Sequence, residues 1–407
     1  MAEQRSIGAE RVEAAAEGAP EGAAGESVRI AAAAPAADHV ALHWAAHPRG
    51  LAASRFHFVW LRANCRCAEC LHPHTWERTI DSYALDPAIR PAEIAAAEEG
   101  RALALRWPDG HETRLAAGWL AARDYDGGAR RADMRAVRSW DAAALLADPP
   151  EHRWEAVTTG DADLRLMLTD LRERGLAIVR GVPPQDGEVE RVARRIAFLR
   201  ETNFGVGFRV ENKPDPNNVA YTALELKAHT DLPNRESPPG IQFLHCHRAD
   251  AAGGESLLVD GFRAAERLRD EAPEAFARLT RTALPFRFVD ADWDIRWRAP
   301  TIRLDADGDF EEVRYHDALT APLDVPFEEM GPLYDALRRF TAILREPQME
   351  LRLKLQPGDL IAFQNRRVLH GRGAFDPNAG LRKLEGCYVD CDDAWSRLRV
   401  LERSAGG

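Results

Sequence analysis

The sequence lacks several features that mark common protein classes. It has no apolar run of about 18 residues, which a membrane-spanning helix needs. Its 407 residues include only six cysteines, without the even pairing of a small secreted protein. A formal net charge of −11 leaves no cationic excess for binding phosphate backbones. We therefore expect a cytoplasmic protein without structural disulfides, and neither a membrane nor nucleic acid as a partner.

The chain is long enough for two domains. Residues 1–38 are rich in Ala, Glu and Gly, and we predict a flexible tail. Residues 39–125 predict a small β-rich domain, because "FHFVWLR" alternates apolar and polar positions and "RALALRWPDGHETRL" indicates two strands around a turn. Residues 126–155 mix glycine, proline and charge as a linker does, and residues 156–407 form the second predicted domain.

The second domain begins with a helical pattern followed by repeated strand signals. In "DADLRLMLTDLRERG" an apolar face is predicted from Leu164, Leu166, Leu168 and Leu171, and Gly175 ends the helix. Stretches such as "GIQFLHCHRA", "GGESLLVDGF" and "LRLKLQPGDLIAFQN" then alternate with turns rich in glycine and proline. The pattern predicts a mainly β fold, a sandwich or barrel with covering helices.

Three cysteines cluster in "LRANCRCAEC", at positions Cys65, Cys67 and Cys70. Thiolates at this spacing can converge on one zinc ion, which completes its tetrahedron with a further Cys or His. His72 and His74 are near in sequence, but we favour His111, whose place in the "WPDGHET" turn would tie two strands together. Four protein ligands make such a site structural. Unligated cysteines and an iron–sulfur site, which lacks a fourth thiolate here, are the alternatives.

A second set of residues has the pattern of an iron site. His229 and Asp231 are two residues apart, so on an extended strand their side chains share a face, and His370 follows a later strand-like run. Two histidines and one carboxylate on one face of an octahedral ion are typical of non-haem Fe(II) oxygenases. Arg382, twelve residues after His370, can pair with the distal carboxylate of a 2-oxo acid bound to that iron.

Eight motifs follow one another along the chain: "WLRANCRCAEC", "WPDGH", "NNVAYT", "HTD", "GGESLLVDGF", "RRVLHGR", "RKLEGCYVD" and "SRLRVL". In content and order they resemble the γ-butyrobetaine hydroxylase and trimethyllysine hydroxylase family. The family's members are Fe(II)- and 2-oxoglutarate-dependent dioxygenases related to taurine dioxygenase. The resemblance implies a small zinc-binding N-terminal domain and a double-stranded β-helix, or jelly-roll, catalytic domain. It also implies Fe(II), 2-oxoglutarate and structural zinc as cofactors, with ascorbate helpful, and it is compatible with a homodimer.

By position, the resemblance assigns iron to His229, Asp231 and His370, and the 2-oxoglutarate carboxylate to Arg382. Ser256 stands where relatives place a hydroxyl near that carboxylate, although it could equally satisfy its own turn. The zinc ligands of the family match the three clustered cysteines and His111.

The resemblance also implies an aromatic cage for a trimethylammonium group. The matching residues are Phe204, Phe208, Tyr221 and Tyr388, which could instead be ordinary core residues. Two phenylalanines replace a tyrosine and a tryptophan of relatives, so we expect weaker binding of the cation. At the substrate's acid end, Asn218 matches an asparagine, whereas His316 replaces a second one. Because histidine can be a charged donor, a phosphonate is one alternative to a carboxylate.

The expected activity is hydroxylation of a small betaine-like zwitterion with dioxygen, most simply γ-butyrobetaine to carnitine. The same chemistry on 2-(trimethylamino)ethylphosphonate, trimethyllysine or another amino acid is an alternative. A noncatalytic binding protein and a zinc hydrolase are more distant ones, since neither needs Arg382 together with the triad.

Overall fold

A computed structural model of the chain describes residues 27–126, 137–210, 224–376 and 380–405. These residues form two compact units, one of residues 27–126 with the last residues of the final helix, and one of residues 137–402. Within the described ranges, no helix is both long and apolar enough to cross a membrane.

The N-terminal unit consists of two three-stranded antiparallel sheets and two short helices. One sheet contains β1 (Arg29–Pro35), β2 (His39–Ala46) and β3 (Ala53–His57), and the other contains β4 (Glu93–Ala97), β5 (Ala102–Arg106) and β6 (Glu112–Ala116). The helices are α1 (Phe58–Ala63) and α2 (Ala117–Ala122). Large buried side chains from both sheets, Leu42, Phe56, Leu103 and Trp107 among them, share one core.

Two predictions for this unit are wrong in part. The predicted tail of residues 1–38 includes β1, in which Ile30 is buried, as is Val28 just before the strand. The alanine-rich sequence "RIAAAAP" has only one of the β-branched residues that mark strands. The predicted strand "FHFVWLR" becomes helix α1 at Phe58. The strands around the Pro-Asp-Gly turn are present as β5 and β6, and Gly110 has a φ of 86° there, a value that favours glycine.

The C-terminal unit contains the remaining elements, in this order: α3 (Ala142–Ala147), β7 (Glu151–Arg153), α4 (Trp154–Thr159), α5 (Asp161–Glu173), β8 (Leu176–Arg180), α6 (Glu188–Ile196), β9 (Gly207–Val210), β10 (Leu226–His229), β11 (Ile241–Ala249), β12 (Ser256–Asp260), α7 (Gly261–Glu271), α8 (Pro273–Arg281), β13 (Ala283–Val289), β14 (Asp294–Pro300), β15 (Ile302–Leu304), β16 (Phe310–Val313), α9 (Phe327–Leu344), β17 (Leu351–Leu353), β18 (Leu360–Gln364), β19 (Val368–Arg372), β20 (Arg382–Val389) and α10 (Cys391–Ala405).

Two sheets dominate this unit. A six-stranded sheet has the order β7-β8-β18-β11-β20-β9, and a four-stranded sheet has the order β10-β19-β12-β17. Apolar residues of both sheets, such as Leu244, Leu258 and Phe363, form a shared core. The opposite face of the larger sheet packs on α5, α6 and α10, whereas α7, α8 and α9 pack near β12 and β19. The prediction of a mainly β fold with covering helices is confirmed.

The predicted linker of residues 126–155 is contradicted in its second half. Trp140 and Leu145 are 4% and 3% exposed and belong to the core between the sheets, and β7 pairs in parallel with β8. The prolines and charged residues around α3 and β7 give this segment the composition of a linker. The predicted helix before Gly175 is α5, but Leu166 is 51% exposed, and Met167 takes its place among the buried residues.

Candidate active site

Backbone pairing brings the two candidate iron-binding histidines together. His229, the last residue of β10, lies directly opposite His370 of β19, and their ring centroids are 4.3 Å apart. Gly371 allows this close approach, because a Cβ atom there would lie 2.5 Å from the carbonyl oxygen of Leu226. Nδ1 of His229 donates to the carbonyl of Lys227 at 2.9 Å, which leaves Nε2 facing the site.

Asp231 lies just beyond β10 and makes five contacts. Its backbone N–H donates to Oδ1 of Asn365 at 2.7 Å, and its carbonyl accepts from Nδ2 of the same side chain at 3.0 Å. The hydroxyl of Tyr388 donates to Oδ2 at 2.7 Å. Oδ1 lies 3.3 Å from Nε2 of His229 and 3.7 Å from Nε2 of His370. Leu232 has a φ of 54°, so strained backbone turns the chain directly after the carboxylate.

These three side chains fit a divalent iron ion. Adjacent ligands of an octahedral ion lie roughly 3 Å apart, close to the separations observed. Burial opposes ionisation of Asp231, but the adjacent His370 and His229 and the Tyr388 hydrogen bond bring its pKa well below the usual range. Burial first, and His229 second, lower the pKa of His370 to about 3. At neutral pH the carboxylate is charged and His370 is neutral, as metal binding requires.

The same cavity contains the candidate 2-oxoglutarate residues. It has a volume of about 540 Å³ and is lined by the triad, Ser256, Arg372 and Arg382. Nε of Arg382 donates to the carbonyl of Gly254 at 3.2 Å, which orients the guanidinium. Burial, with a smaller contribution from Arg372, lowers the pKa of Arg382 to about 10, so the side chain remains charged at neutral pH. Ser256 pairs with Arg372 across β12 and β19.

Three of the predicted cage residues line this cavity, namely Phe204, Phe208 and Tyr388. The rings of Phe208 and Tyr388 are 5.0 Å apart, and Phe204 packs at 5.6 Å, edge to face, against Phe288. Asn218 and Tyr221 lie outside the described residues, so their predicted contacts stay predictions.

His316 also lines the cavity, with its ring centroid 4.4 Å from that of His229. Its Nδ1 atom is buried and has no hydrogen-bond partner within the described part of the chain. Burial, followed by repulsion from His229, lowers the pKa of His316 well below its usual value. The ring is therefore neutral at physiological pH. It can accept or donate a hydrogen bond to a substrate, but it does not supply the positive charge considered from the sequence.

In the N-terminal unit, the cysteine cluster meets His111. Nε2 of His111 lies 3.3 Å from Sγ of Cys65, 3.7 Å from Cys67 and 3.5 Å from Cys70. Tetrahedral zinc with S and N ligands separates these atoms by about 3.5 Å, so the four residues fit the ion. His72 and His74, the alternative fourth ligands, are both exposed.

Comparisons with known proteins identify the family. Residues 149–388 match the model of the "Taurine catabolism dioxygenase TauD, TfdA family", and residues 32–120 match "Gamma-butyrobetaine hydroxylase-like, N-terminal". The chain is 41% identical to gamma-butyrobetaine dioxygenase of Pseudomonas sp. (strain AK-1) over 92% of this chain and 96% of that protein. The chain belongs to the TauD/TfdA dioxygenase family. The family predicted from the sequence motifs is thus confirmed.

Two further relatives from animals span most of the chain. The human gamma-butyrobetaine dioxygenase is 33% identical over 85% of this chain and 90% of its own length. The mitochondrial trimethyllysine dioxygenase of Gallus gallus is 34% identical over 85% of this chain and 83% of its own length. This TauD/TfdA member is a 2-oxoglutarate-dependent dioxygenase that uses Fe(II), as its motifs predicted.

Sequence reasoning overlooked three residues of the dioxygenase site. Arg372 follows His370 by two positions, so strand alternation alone would have placed it in the same cavity. Asn365 positions Asp231 from a distant turn, and Phe288 packs on Phe204 from β13. Neither has a short-range signal in the sequence, because both contacts depend on the tertiary fold.

Proposed function

We propose that this dioxygenase converts γ-butyrobetaine to carnitine. The observation that carries the proposal is one cavity of about 540 Å³, in which the His-Asp-His set, the buried Arg372, the partly buried Arg382 and aromatic rings converge. This volume is in the range of small-molecule sites, roughly 300–1,000 Å³. The 41% identity to a gamma-butyrobetaine dioxygenase across nearly the whole chain supports the choice of substrate.

In this proposal His229, Asp231 and His370 hold Fe(II) through Nε2, Oδ1 and Nε2. When bound, iron and 2-oxoglutarate supply oxidising chemistry that turns dioxygen, 2-oxoglutarate and a C–H bond into succinate, carbon dioxide and a C–OH group. Arg382 binds the distal carboxylate of 2-oxoglutarate, and Ser256 adds a hydroxyl. Arg372, whose Nη2 donates to the carbonyl of Leu224 at 2.7 Å, adds positive charge to the same end of the cavity.

The substrate's trimethylammonium group lies against the faces of Phe204, Phe208 and Tyr388. A quaternary ammonium has no hydrogen to donate, so the negative ring faces provide the attraction, about 0.5–2 kcal/mol for each ring. Neutral His316 donates a hydrogen bond to the substrate's carboxylate. A dianionic phosphonate would gain more from a charged partner, so the buried neutral ring favours the carboxylate.

Trimethyllysine is the second candidate, since a specific feature of the cavity favours it. Glu225 and Asp317 line the cavity, and a carboxylate can bind the α-ammonium group that trimethyllysine has and γ-butyrobetaine lacks. The animal trimethyllysine dioxygenases are also related across most of the chain.

We also propose two structural assignments. The six-stranded and four-stranded sheets form a double-stranded β-helix, and Cys65, Cys67, Cys70 and His111 hold structural zinc. Nη1 of Arg62 donates to Sγ of Cys70 at 3.4 Å, which would help to stabilise a thiolate. His111→Gln should lose one zinc ion per chain and lower the melting temperature, whereas His72→Gln should change neither. Full zinc content in His111→Gln would refute the ligand assignment.

The test of function is succinate formation with Fe(II), ascorbate and 2-oxoglutarate. The substrates compared are γ-butyrobetaine, trimethyllysine, 2-(trimethylamino)ethylphosphonate and the unmethylated analogue of each. We expect γ-butyrobetaine to stimulate turnover most and to gain one oxygen atom by mass spectrometry. His370→Gln should abolish turnover, while His43→Gln, at an exposed position of β2, should retain it. Stronger stimulation by another compound would replace the substrate, and no stimulation by any would refute the proposed function.

A further inference from the structure

A third group of potential metal ligands lies outside the active site. His245 and His247 of β11 and Glu385 of β20 present ligand atoms that are all within 4.8 Å of one another. The residues are 0%, 6% and 9% exposed. The rings of the two histidines are 4.5 Å apart, and His245 lies directly opposite Glu385 in the antiparallel pair.

These side chains point away from the active-site cavity. Even-numbered residues of the two strands, including Gln242, Leu244 and Tyr388, line the cavity. Odd-numbered neighbours such as Phe243 and Cys387 belong to the core on the other face of the sheet, and the cluster follows the same alternation. The pairing is irregular between Cys246 and Arg248, so His247 lies in a bulge, a feature that can redirect a side chain.

Both buried rings have polar atoms without ordinary partners. Nδ1 and Nε2 of His245 and Nε2 of His247 form no hydrogen bond with any residue in the described ranges. The backbone of Val182 comes near enough to His245 to favour its protonated form slightly, but without hydrogen-bond geometry. An unsatisfied buried polar atom costs about 1–3 kcal/mol, so three of them around one point require an explanation.

We propose that His245, His247 and Glu385 bind a divalent transition-metal ion. Nε2 of His247 lies 3.5 Å from Oε2 of Glu385. Tetrahedral ligands with bonds of about 2.0–2.2 Å lie roughly 3.4 Å apart, so this edge already has the required length. Imidazoles with a carboxylate favour zinc and its transition-metal neighbours over magnesium or calcium. Three protein ligands leave one position for water.

Neighbouring groups orient two of the proposed ligands, His247 and Glu385. Nδ1 of His247 lies 3.5 Å from Oδ1 of Asp186, the arrangement in which a carboxylate orients a metal-bound histidine. The backbone N–H of Gly187 donates to Oε2 of Glu385 at 2.9 Å. Asp186 also forms ion pairs with Lys383 and Arg209, at 2.8 and 2.7 Å. These two cations offset part of its negative charge near the ion.

The bound ion would cross-link β11 and β20, and the contacts of Asp186 and Gly187 with its ligands would connect these strands to the turn that precedes α6. Its ligands face away from the cavity, so we assign it to stability rather than to the oxidation. This site is independent of the proposed substrate, and it goes beyond the iron and zinc sites discussed above.

The test counts metal ions on the full chain. Chelator-treated, reduced protein is dialysed against Co²⁺ alone, and bound cobalt per chain is measured by mass spectrometry. We expect wild type to bind one equivalent more than the two that the iron triad and cysteine cluster account for. Glu385→Gln retains an acceptor for the Gly187 N–H, and we expect it and His247→Gln each to lose that additional equivalent. The control Glu328→Gln, at an exposed residue of α9, should lose none.

Absorption by thiolate-bound cobalt separates the sites, because only the cysteine cluster supplies thiolate ligands. That absorption should be unchanged in Glu385→Gln, which shows that the cysteine cluster is not the site lost. The second retained equivalent, at the iron triad in the same unit as Glu385, shows that this unit folds in the variant. Two equivalents in wild type would overturn the proposal. So would an additional equivalent that persists in both variants, because it would then lie elsewhere.

Discussion

Replacing Gly371 by alanine tests whether close strand approach sets the iron site. The added Cβ would lie 2.5 Å from the Leu226 carbonyl oxygen and 3.0 Å from the Ala228 nitrogen, and contacts under 3.0 Å essentially never occur. The strands carrying His229 and His370 must therefore separate by at least 0.5 Å, the difference between 3.0 and 2.5 Å. Functional constellations tolerate only about 0.5 Å of displacement. We expect Fe(II) affinity to fall about 10- to 100-fold.

The assay is anaerobic calorimetric titration of zinc-loaded protein with Fe(II). Overpacking should also lower the free energy of unfolding by about 1–3 kcal/mol, which chemical denaturation measures. The control is Gly331→Ala in α9, where no atom lies within 4 Å of the added Cβ. It should stabilise the helix by up to about 1 kcal/mol and leave iron affinity unchanged. Wild-type iron affinity in folded Gly371→Ala would refute the argument that strand spacing limits the site.

Three further predictions concern ionisable side chains. Arg382→Lys should raise KM for 2-oxoglutarate at least about tenfold in steady-state assays, because lysine cannot form the bidentate pair, while an unchanged KM would contradict that contact. Asp260→Asn should lower unfolding free energy by about 3–5 kcal/mol by denaturation, since it leaves Arg367 fully buried beside a neutral amide; a loss below 1 kcal/mol would contradict this. Burial, and then His247, lower the pKa of His245 to about 4. Metal-free protein should therefore lose up to about 3 kcal/mol of unfolding free energy between pH 6.5 and 4, and His245→Gln should lose less. Equal losses in the two proteins would contradict this role of His245.

The sign of the last effect follows from where the proton binds. The folded pKa of His245 is below that of the unfolded chain, so only the unfolded chain takes up the proton as the pH falls through this window. Acid therefore favours unfolding, and the contribution is complete above about pH 6.5. Measuring stability against pH for both proteins isolates this histidine from the carboxylates.

Much of the site could be predicted because its residues recur at spacings that the chemistry requires. Alternation on a strand predicted that His229 and Asp231 share a face, although Asp231 lies two residues beyond the end of the strand and depends on Asn365 for its position. Contacts between segments that are distant in sequence could not be predicted. Nothing in the sequence distinguishes Gly371 from other glycines. Its role is seen only in the structure, where a Cβ atom would lie 2.5 Å from the Leu226 carbonyl oxygen of β10.

Errors in the fold arose where local composition contradicted burial. The alanine-rich β1 has little strand propensity and is ordered by pairing with β2 instead. Trp140 and Leu145 sit among charges and prolines, yet both are buried. The stretch "HCH" in β11 was assigned only to a strand, because the partner Glu385 is 138 residues away from His247.

The alternation along β11 and β20 has a consequence for how these strands can change. Each strand serves two chemistries, one on each face, and a single inserted or deleted residue exchanges the faces beyond it. Such a change in β20 would turn Arg382 away from the cavity and direct Lys383 toward it. The residues at the other end of the strand would keep their contacts. Point substitutions can therefore adjust either face separately, whereas changes of length alter both at once. We expect natural and designed variation here to proceed by replacement at constant length.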